Sequence, residues 1–133
     1  MRVYLDSNVF ISLFEREMGK NSRGLFVEAE MFLERVKNKG SVLVLSDWFF
    51  REVQKITFLS KGEVLRYLEN NGAKTEVVDS EGVSLEKTGE LHFPDSMHAA
   101  IAIHFGCGCI VTFNLKDFEK VKRLIEILEP GEY

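Results

Sequence analysis

The sequence predicts an α/β fold, a three-layer α/β/α sandwich around a central, mostly parallel five-stranded sheet. Short apolar segments alternate with longer amphipathic ones along the whole chain, which is the pattern of strands joined by crossover helices. The short segments are mostly apolar, which indicates that both faces of the sheet are covered. The predicted strands are residues 2–5, 42–45, 75–78, 109–112 and 124–128.

The first helices are predicted from apolar periodicity and from end signals. Between the first two strands, apolar residues recur at helical spacing from Leu25 to Val36, and Gly40 is a suitable C-terminal stop. Ser46 can cap a helix after the second strand. Residues 60–63 have the pattern of a capping box for the helix that follows.

Two further signals place the last long helix. Gly72 is expected to end the helix that starts near residue 60, before the third strand. Pro94 suits the first turn of another helix, because its missing N–H is not needed there. That helix would carry Met97, Ile101 and Ile103 toward the turn at Gly106.

Composition indicates an ordinary globular protein. The 133 residues suffice for one compact domain over residues 1–133, with 45% hydrophobic and 29% charged residues. A formal net charge of −4 argues against a protein that coats nucleic acid through bulk positive charge, but not against an enzyme that holds phosphate through a metal. The basic residues within 35–39 and 116–123 are better explained as solvated faces than as an RNA-binding patch.

The cysteines and the N-terminus point to a cytoplasmic protein. Cys107 and Cys109 are two residues apart, and an extended segment there would put both on one face of a strand, which suits reduced core cysteines rather than a disulfide or a metal site. No signal-peptide pattern opens the chain, and no apolar run approaches the roughly 20 residues that cross a bilayer. We therefore expect no membrane association.

Three acidic residues follow or overhang the ends of predicted strands. Asp6 comes directly after the first strand, where it could equally well be only a helix cap. Glu52 lies six residues beyond Ser46, within two helical turns, so its side chain can reach the same edge of the sheet. Taken alone, it would be interpreted as an exposed surface charge. Asp95 lies in the first turn of its helix, where the helix dipole also favours a carboxylate, and His98 shares its face.

The turn after the fourth strand adds a hydroxyl, an amide and a carboxylate, from Thr112, Asn114 and Asp117. These are also ordinary turn residues. Ligands of such sheets sit beyond the carboxyl ends of the strands, so all these positions should meet at one edge. Two carboxylates 5 Å apart repel by about 3 kcal/mol at an effective dielectric near 20, which a divalent cation would relieve. Oxygen ligands alone suit Mg²⁺ or Mn²⁺.

Four segments resemble the motifs of the PIN-domain ribonucleases, especially the single-domain VapC-type toxins of toxin–antitoxin pairs. Residues 5–10 resemble the opening hxDTNhh motif, in which h is apolar, with Ser7 in place of the usual Thr. Residues 46–53 resemble the motif that supplies a glutamate. Residues 95–102 resemble the Asp that leads an alanine-rich helix, and residues 112–118 resemble the final T-x-N/D-x-x-D-F motif.

The resemblance implies a metal-dependent endoribonuclease that hydrolyses RNA with Mg²⁺ or Mn²⁺. It implies metal ligation by four acids, with three polar side chains in or beside the ligand set. The acids are Asp6, Glu52, Asp95 and Asp117, and the polar side chains are Ser7, Thr112 and Asn114. Whether Asn114 or Asp117 lies closer to the ion stays open. Phe113 stands where the family often has Arg, which puts a phosphate contact from that position in doubt.

The family's biology further implies a homodimer, an RNA substrate and an antitoxin protein as partner. A stand-alone RNA-processing nuclease and a non-catalytic PIN-like binding module are the alternatives, and the second would be expected to have lost acidic positions. Phosphatases of the haloacid-dehalogenase type have a second Asp two residues after the first, whereas this chain has Asn8 there. His98 is either a packed or supporting residue or a base, and His92 and His104 receive no role.

Overall fold

A computed structural model describes residues 1–17 and 24–133. Its strands are β1 (Arg2–Leu5), β2 (Val42–Ser46), β3 (Lys74–Val78), β4 (Cys109–Val111) and β5 (Glu126–Leu128). Its α-helices are α1 (Ser7–Glu17), α2 (Leu25–Lys39), α3 (Asp47–Thr57), α4 (Lys61–Asn70) and α5 (Asp95–His104). Two 3₁₀ helices follow β4 and β5, at Leu115–Val121 and Pro130–Glu132.

The five strands form one sheet in the order β3-β2-β1-β4-β5, and every pairing is parallel. From β1 the chain moves outward through β2 to β3, then returns to the other side of β1 with β4 and ends with β5. The direction of this progression reverses between β1 and β4. In sheets of this kind, the crevice beyond the carboxyl ends of the strands at that reversal is where ligands bind.

Both faces of the sheet are covered, so the predicted α/β sandwich and its five-stranded parallel sheet are confirmed. Successive side chains of a strand point to opposite faces. Val3 and Leu5 accordingly belong to the core cluster that also contains buried residues of α1, α2, α3 and α4. Tyr4 belongs to a second cluster, with buried residues of α5 and the first 3₁₀ helix.

The strand boundaries differ from the predictions only at ends. The fifth strand begins at Glu126 instead of residue 124, because Leu124 lies in a turn and donates its N–H to the Val121 carbonyl at 2.8 Å. The fourth strand ends at Val111, although the N–H of Thr112 still bonds to the Leu128 carbonyl at 3.0 Å. Thr112 is thereby held in line with the strand while its side chain faces the sheet edge.

The predicted helix ends are largely confirmed. Ser46 caps α3 by accepting a hydrogen bond from the N–H of Phe49 at 3.1 Å, and Ser60 and Glu63 form the capping box of α4. Gly40 ends α2 with φ of +65°, a conformation that glycine adopts without steric cost.

Pro94 is displaced by one position from its prediction. It occupies the residue before α5, after a cis Phe93–Pro94 peptide bond, and the helix begins at Asp95. Asp95 is therefore the first residue of the helix, at its positive end.

The prediction for the cysteines was wrong in one respect. Both thiols are free and buried, but Cys109 packs in the cluster with Val3, whereas Cys107 packs in the cluster with Tyr4. They face opposite sides of the sheet because the strand starts only at Cys109, after a turn in which Gly106 has φ of +70°. Burial raises the pKa of the Cys107 thiol to about 11 and that of Cys109 to about 12.

None of the helices within residues 1–17 and 24–133 is both long and apolar enough to cross a membrane.

Phe32 of α2 tests the packing of the larger core. It is fully buried and meets the ring of Tyr133 edge to face, with centroids 5.3 Å apart. Phe32→Ala should lower the free energy of unfolding by about 3–5 kcal/mol, because it removes apolar contacts and leaves a cavity. The neighbouring Met31 is 51% exposed, so Met31→Ala should change the free energy of unfolding by about 0.5 kcal/mol or less. Urea denaturation measures both, and equal losses would contradict the assigned face of α2.

Candidate metal centre

Asp6 lies between the carboxyl ends of β1 and β4, at the reversal of strand order. Its N–H donates to the Val111 carbonyl at 3.0 Å, which extends the pairing of the two strands by one residue. Its carboxylate is buried and accepts one hydrogen bond on each oxygen, from the Ser7 N–H at 2.8 Å and from the Thr112 hydroxyl at 2.7 Å. Each carboxylate oxygen keeps a further lone pair. The carboxylate is thus fixed in orientation without being saturated.

Asn8 and Thr112 join the turn after β1 to the turn after β4. The Asn8 amide donates to the Thr112 hydroxyl oxygen at 3.3 Å and accepts from the Phe113 N–H at 3.3 Å. The same hydroxyl oxygen accepts from the Asn114 N–H at 3.0 Å. Asn8 was part of a sequence motif but was not assigned to the site, and the structure gives it this bridging position.

Glu52 reaches the same edge from the second turn of α3. Because Ser46 both ends β2 and caps α3, the helix starts directly at the sheet edge. The Ser7 hydroxyl donates to Oε1 of Glu52 at 2.7 Å. Nε2 of His98 lies 3.0 Å from both carboxylate oxygens. Glu52 is therefore held from two directions.

His98 is connected through Tyr4 to the strands beneath it. The ring is buried on α5, and its Nδ1 lies 2.5 Å from the Tyr4 hydroxyl, which is 2.7 Å from Oγ of Ser46. A protonated imidazole donates from both nitrogens, one to Glu52 and one to Tyr4, and the Tyr4 hydroxyl then donates to Ser46. Tyr4 was not singled out in the sequence. The available signal was a phenol within a buried apolar strand, since a buried tyrosine hydroxyl usually has a partner.

The pairing of His98 with Glu52 shifts both pKa values toward the charged forms. Burial alone would lower the pKa of His98, but the hydrogen bond to Glu52 and the charges of Asp6, Glu52 and Asp95 raise it above the usual value. Burial alone would raise the pKa of Glu52, but the hydrogen bond and charge of His98, with the Ser7 bond, lower it. Both shifts favour the ionised forms of the pair, in which an almost inaccessible imidazole ring faces a half-buried carboxylate.

Asp6 and Asp95 are shifted the other way. Burial raises the pKa of Asp6, although the charge of His98 and the hydrogen bond from Thr112 oppose it. Asp95 is half-buried, and its pKa is raised to about 6, first by burial and then by the negative charges of Asp6 and Asp117. Its side chain forms no hydrogen bond with any residue in 1–17 or 24–133. Asp95 is thus a carboxylate that a cation would stabilise strongly.

Asn114 and Asp117 stand further out than the other predicted residues. Both side chains are exposed, and the N–H of Asp117 donates to the Asn114 carbonyl at 3.1 Å at the start of the 3₁₀ helix. Asp117 lines a cleft of about 210 Å³ with Lys116 and Lys120, among others. Its charge acts on Asp95, which puts it on the same side of the molecule, but it is not part of the tightest cluster.

The groups in that cluster fit a hard divalent cation. Among the described residues, one ligand atom each from Asp6, Glu52 and His98 lie within 4.8 Å of one another. Both ring nitrogens of His98 already have protein partners, which leaves the carboxylate oxygens of Asp6 and Glu52 as the open ligands of this group. Asp95 is not in the group, although the charges of Asp6 and Glu52 act on its pKa. An oxygen-only donor set with several carboxylates suits Mg²⁺ or Mn²⁺ better than Zn²⁺.

Fold and site together define a parallel α/β protein with an acidic centre at the strand-order reversal. The structure is similar to one chain in the crystal structure of VapBC2 from Rickettsia felis. In that crystal structure VapBC2 is bound to a DNA fragment from its own promoter. The TM-score is 0.61 and the identity 20%, over 97% of this chain and 98% of that chain, which is a likeness of fold. No protein-family model matches the sequence, and no curated protein matches it.

Asp95 should make the metal-free protein less stable as the pH rises. Its pKa of about 6 exceeds the roughly 3.9 of an unfolded chain, so the folded state binds more protons between these values. Protonation of Asp95 thus favours the folded state. This stabilisation is complete below about pH 4 and is lost as the pH rises through about 6. Asp95→Asn should therefore stabilise the metal-free protein at pH 7 by about 1 kcal/mol, after allowance for screening by water, and have little effect at pH 4.

Urea unfolding with a chelator present measures this difference. Glu34→Gln, which removes a charge from the exposed side of α2, is the control and should show no such pH dependence. An Asp95→Asn variant that is less stable than the parent at pH 7 would contradict the conclusion that the ionised Asp95 side chain destabilises the metal-free fold.

Proposed function

We propose that the chain is a metal-dependent endoribonuclease that hydrolyses RNA phosphodiester bonds, acting as a single PIN-like domain over residues 1–133. The observation that carries this proposal is the meeting of Asp6 and Glu52 in one cluster at the reversal of strand order, close enough to Asp95 that their charges add to burial in raising its pKa to about 6. Carboxylates with strongly perturbed pKa values in a crevice are candidates for function. The order and spacing of the four PIN-like motifs support RNA as the substrate.

In this proposal Asp6, Glu52, Asp95 and Asp117 hold Mg²⁺ or Mn²⁺. A bound divalent metal supplies a Lewis acid for the phosphate and lowers the pKa of a water molecule. Ser7 and Thr112 orient the carboxylates through their hydroxyl groups, and Asn114 lies beside this set.

Side chains of the protein then orient the attacking water and accept its proton. A carboxylate oxygen of the cluster accepts the proton of the attacking water, which approaches phosphorus in line with the leaving 3′ oxygen. The bond from phosphorus to the 3′ oxygen breaks, the leaving oxygen takes a proton from solvent water, and the products carry 5′-phosphate and 3′-hydroxyl ends. His98 does not touch the substrate in this scheme and acts by fixing Glu52.

We further propose that this nuclease is the toxin of a toxin–antitoxin pair in the cytoplasm and acts as a homodimer with an antitoxin protein as partner. The likeness of fold to a chain of VapBC2 supports this assignment over a stand-alone RNA-processing nuclease. A small DNA-binding protein encoded beside this chain, which inhibits RNA cleavage when mixed with it, would support the toxin role. A non-catalytic binding module is disfavoured because all four acidic positions are present.

Asp6→Asn tests the nuclease directly. Purified protein is incubated with single-stranded and structured RNA in Mg²⁺ or Mn²⁺, and cleavage is followed on gels. The parent should cut and should lose activity with a chelator, while Asp6→Asn should cut at least about 100-fold more slowly, because one central ligand loses its charge. Glu34→Gln should match the parent. The proposal fails if neither RNA is cut, or if Asp6→Asn cuts as well as the parent.

His98 variants test whether this residue positions Glu52. His98→Gln keeps an N–H that reaches toward Glu52, whereas His98→Leu removes it. We expect Leu to weaken Mn²⁺ binding by about 10-fold or more, and Gln to retain most of the affinity. Calorimetric titration with Mn²⁺ gives the affinities, and circular dichroism checks folding. Equal or tighter binding by a folded Leu variant would show that the charge of His98 competes with the metal instead of positioning its ligand.

A further inference from the structure

One exposed and one partly buried aromatic ring lie beside Glu52 of the acidic centre. Trp48, in the first turn of α3, and Phe93, just before α5, meet edge to face with ring centroids 5.0 Å apart and planes at 90°. Phe93 is 58% exposed and Trp48 is only partly buried. Trp48 packs in part against the core cluster that contains Tyr4, whereas Phe93 presents a large apolar ring at the surface, which core packing does not explain.

Cationic side chains border the same rings. The guanidinium of Arg51 lies 4.6 Å from the centre of the Trp48 ring, as a cation–π contact. Lys55 follows one helical turn later on the same face of α3, and both cations are exposed. The aromatic surface is therefore edged by positive charge, in a chain whose net charge is −4.

Rings and cations line a cleft of about 290 Å³ that shares Glu52 with the acidic centre. Its lining includes Glu52, whose carboxylate belongs to that centre, and Pro94, which precedes Asp95. The lining residues are Trp48, Arg51, Glu52, Lys55, Phe93 and Pro94. This volume is near the lower limit of small-molecule pockets, about 300 Å³, and suits one nucleoside better than a folded ligand.

We propose that this cleft is a subsite for one unstacked base of single-stranded RNA next to the phosphate that is cut, and this inference rests on the proposed function. The base would stack on Trp48 or Phe93, while Arg51 and Lys55 neutralise a neighbouring phosphate. Proteins that bind single strands combine aromatic stacking with a basic groove in this way. A base inside a duplex is already stacked and paired, so the subsite would select unpaired nucleotides.

Trp48 is the single tryptophan of the chain, so its fluorescence reports on this cleft alone. The full-length protein, kept with a chelator to prevent cleavage, is titrated with single-stranded oligouridylate and oligoadenylate eight nucleotides long, with an RNA duplex, and with an abasic strand. We expect quenching by one or both single-stranded oligonucleotides and little quenching by the duplex or the abasic strand.

Phe93→Ala should weaken binding of the quenching oligonucleotide by about 10-fold or more, the size expected for a lost base–aromatic stack. Phe93→Tyr should retain the affinity. Phe58→Asn is the matched control, because Phe58 is 85% exposed at the end of α3 but does not line the cleft, and Asn tolerates its φ of +63°. Circular dichroism checks that each variant is folded.

The subsite and the nuclease can fail separately. Quenching that depends on Phe93 in a protein that cuts no RNA would support the subsite and refute the nuclease. Cleavage that is unchanged in Phe93→Ala, together with no quenching by either oligonucleotide, would overturn the subsite, leave the nuclease intact and leave the cleft to a protein partner.

Discussion

Mutual repulsion among carboxylates at the carboxyl end of β1 is the constraint on which the other features of the site depend. The parallel pairing of β1 with β2 and β4 brings the segments that follow these strands to one edge. Two carboxylates about 5 Å apart repel by about 3 kcal/mol at an effective dielectric near 20. Hydrogen bonds from Ser7 and Thr112 and the charge of His98 offset part of this cost for Asp6 and Glu52. Asp95 lacks a comparable set of partners, and burial together with the charges of Asp6 and Asp117 raises its pKa to about 6.

Local signals in the sequence predicted most of the fold. Strand alternation depends on apolar segments of a few residues, and helix ends depend on caps such as Ser46, Ser60 and Gly40, all of which act within one or two turns. The error over the cysteines has the same origin. Cys107 lies before β4, after the turn at Gly106, so the alternation of strand side chains that predicted a shared face does not apply to it.

The site was only partly predictable, because its contacts join distant segments. The acids could be placed near one edge because they follow or lie close after predicted parallel strands, and the residues of the turn after β4 could be identified. The bond between Tyr4 and His98 could not, because it depends on how α5 is rotated and how closely it packs on the sheet. The separation of Asp117 from the tight cluster depends likewise on the path of a 3₁₀ helix, which has no strong periodic signal.

The hydrogen bond from Thr112 to Asp6 spans 106 residues of sequence, and the N–H of Asp6 pairs with β4 in the same place. Contacts over such distances form late, since the loop between them must first be closed at an entropic cost. A chain emerging from the ribosome holds Asp6 and Glu52 well before β4 is available to join β1. The acidic centre therefore cannot be completed on a nascent fragment that ends before β4, and whatever chemistry it performs begins only after Thr112 has been made.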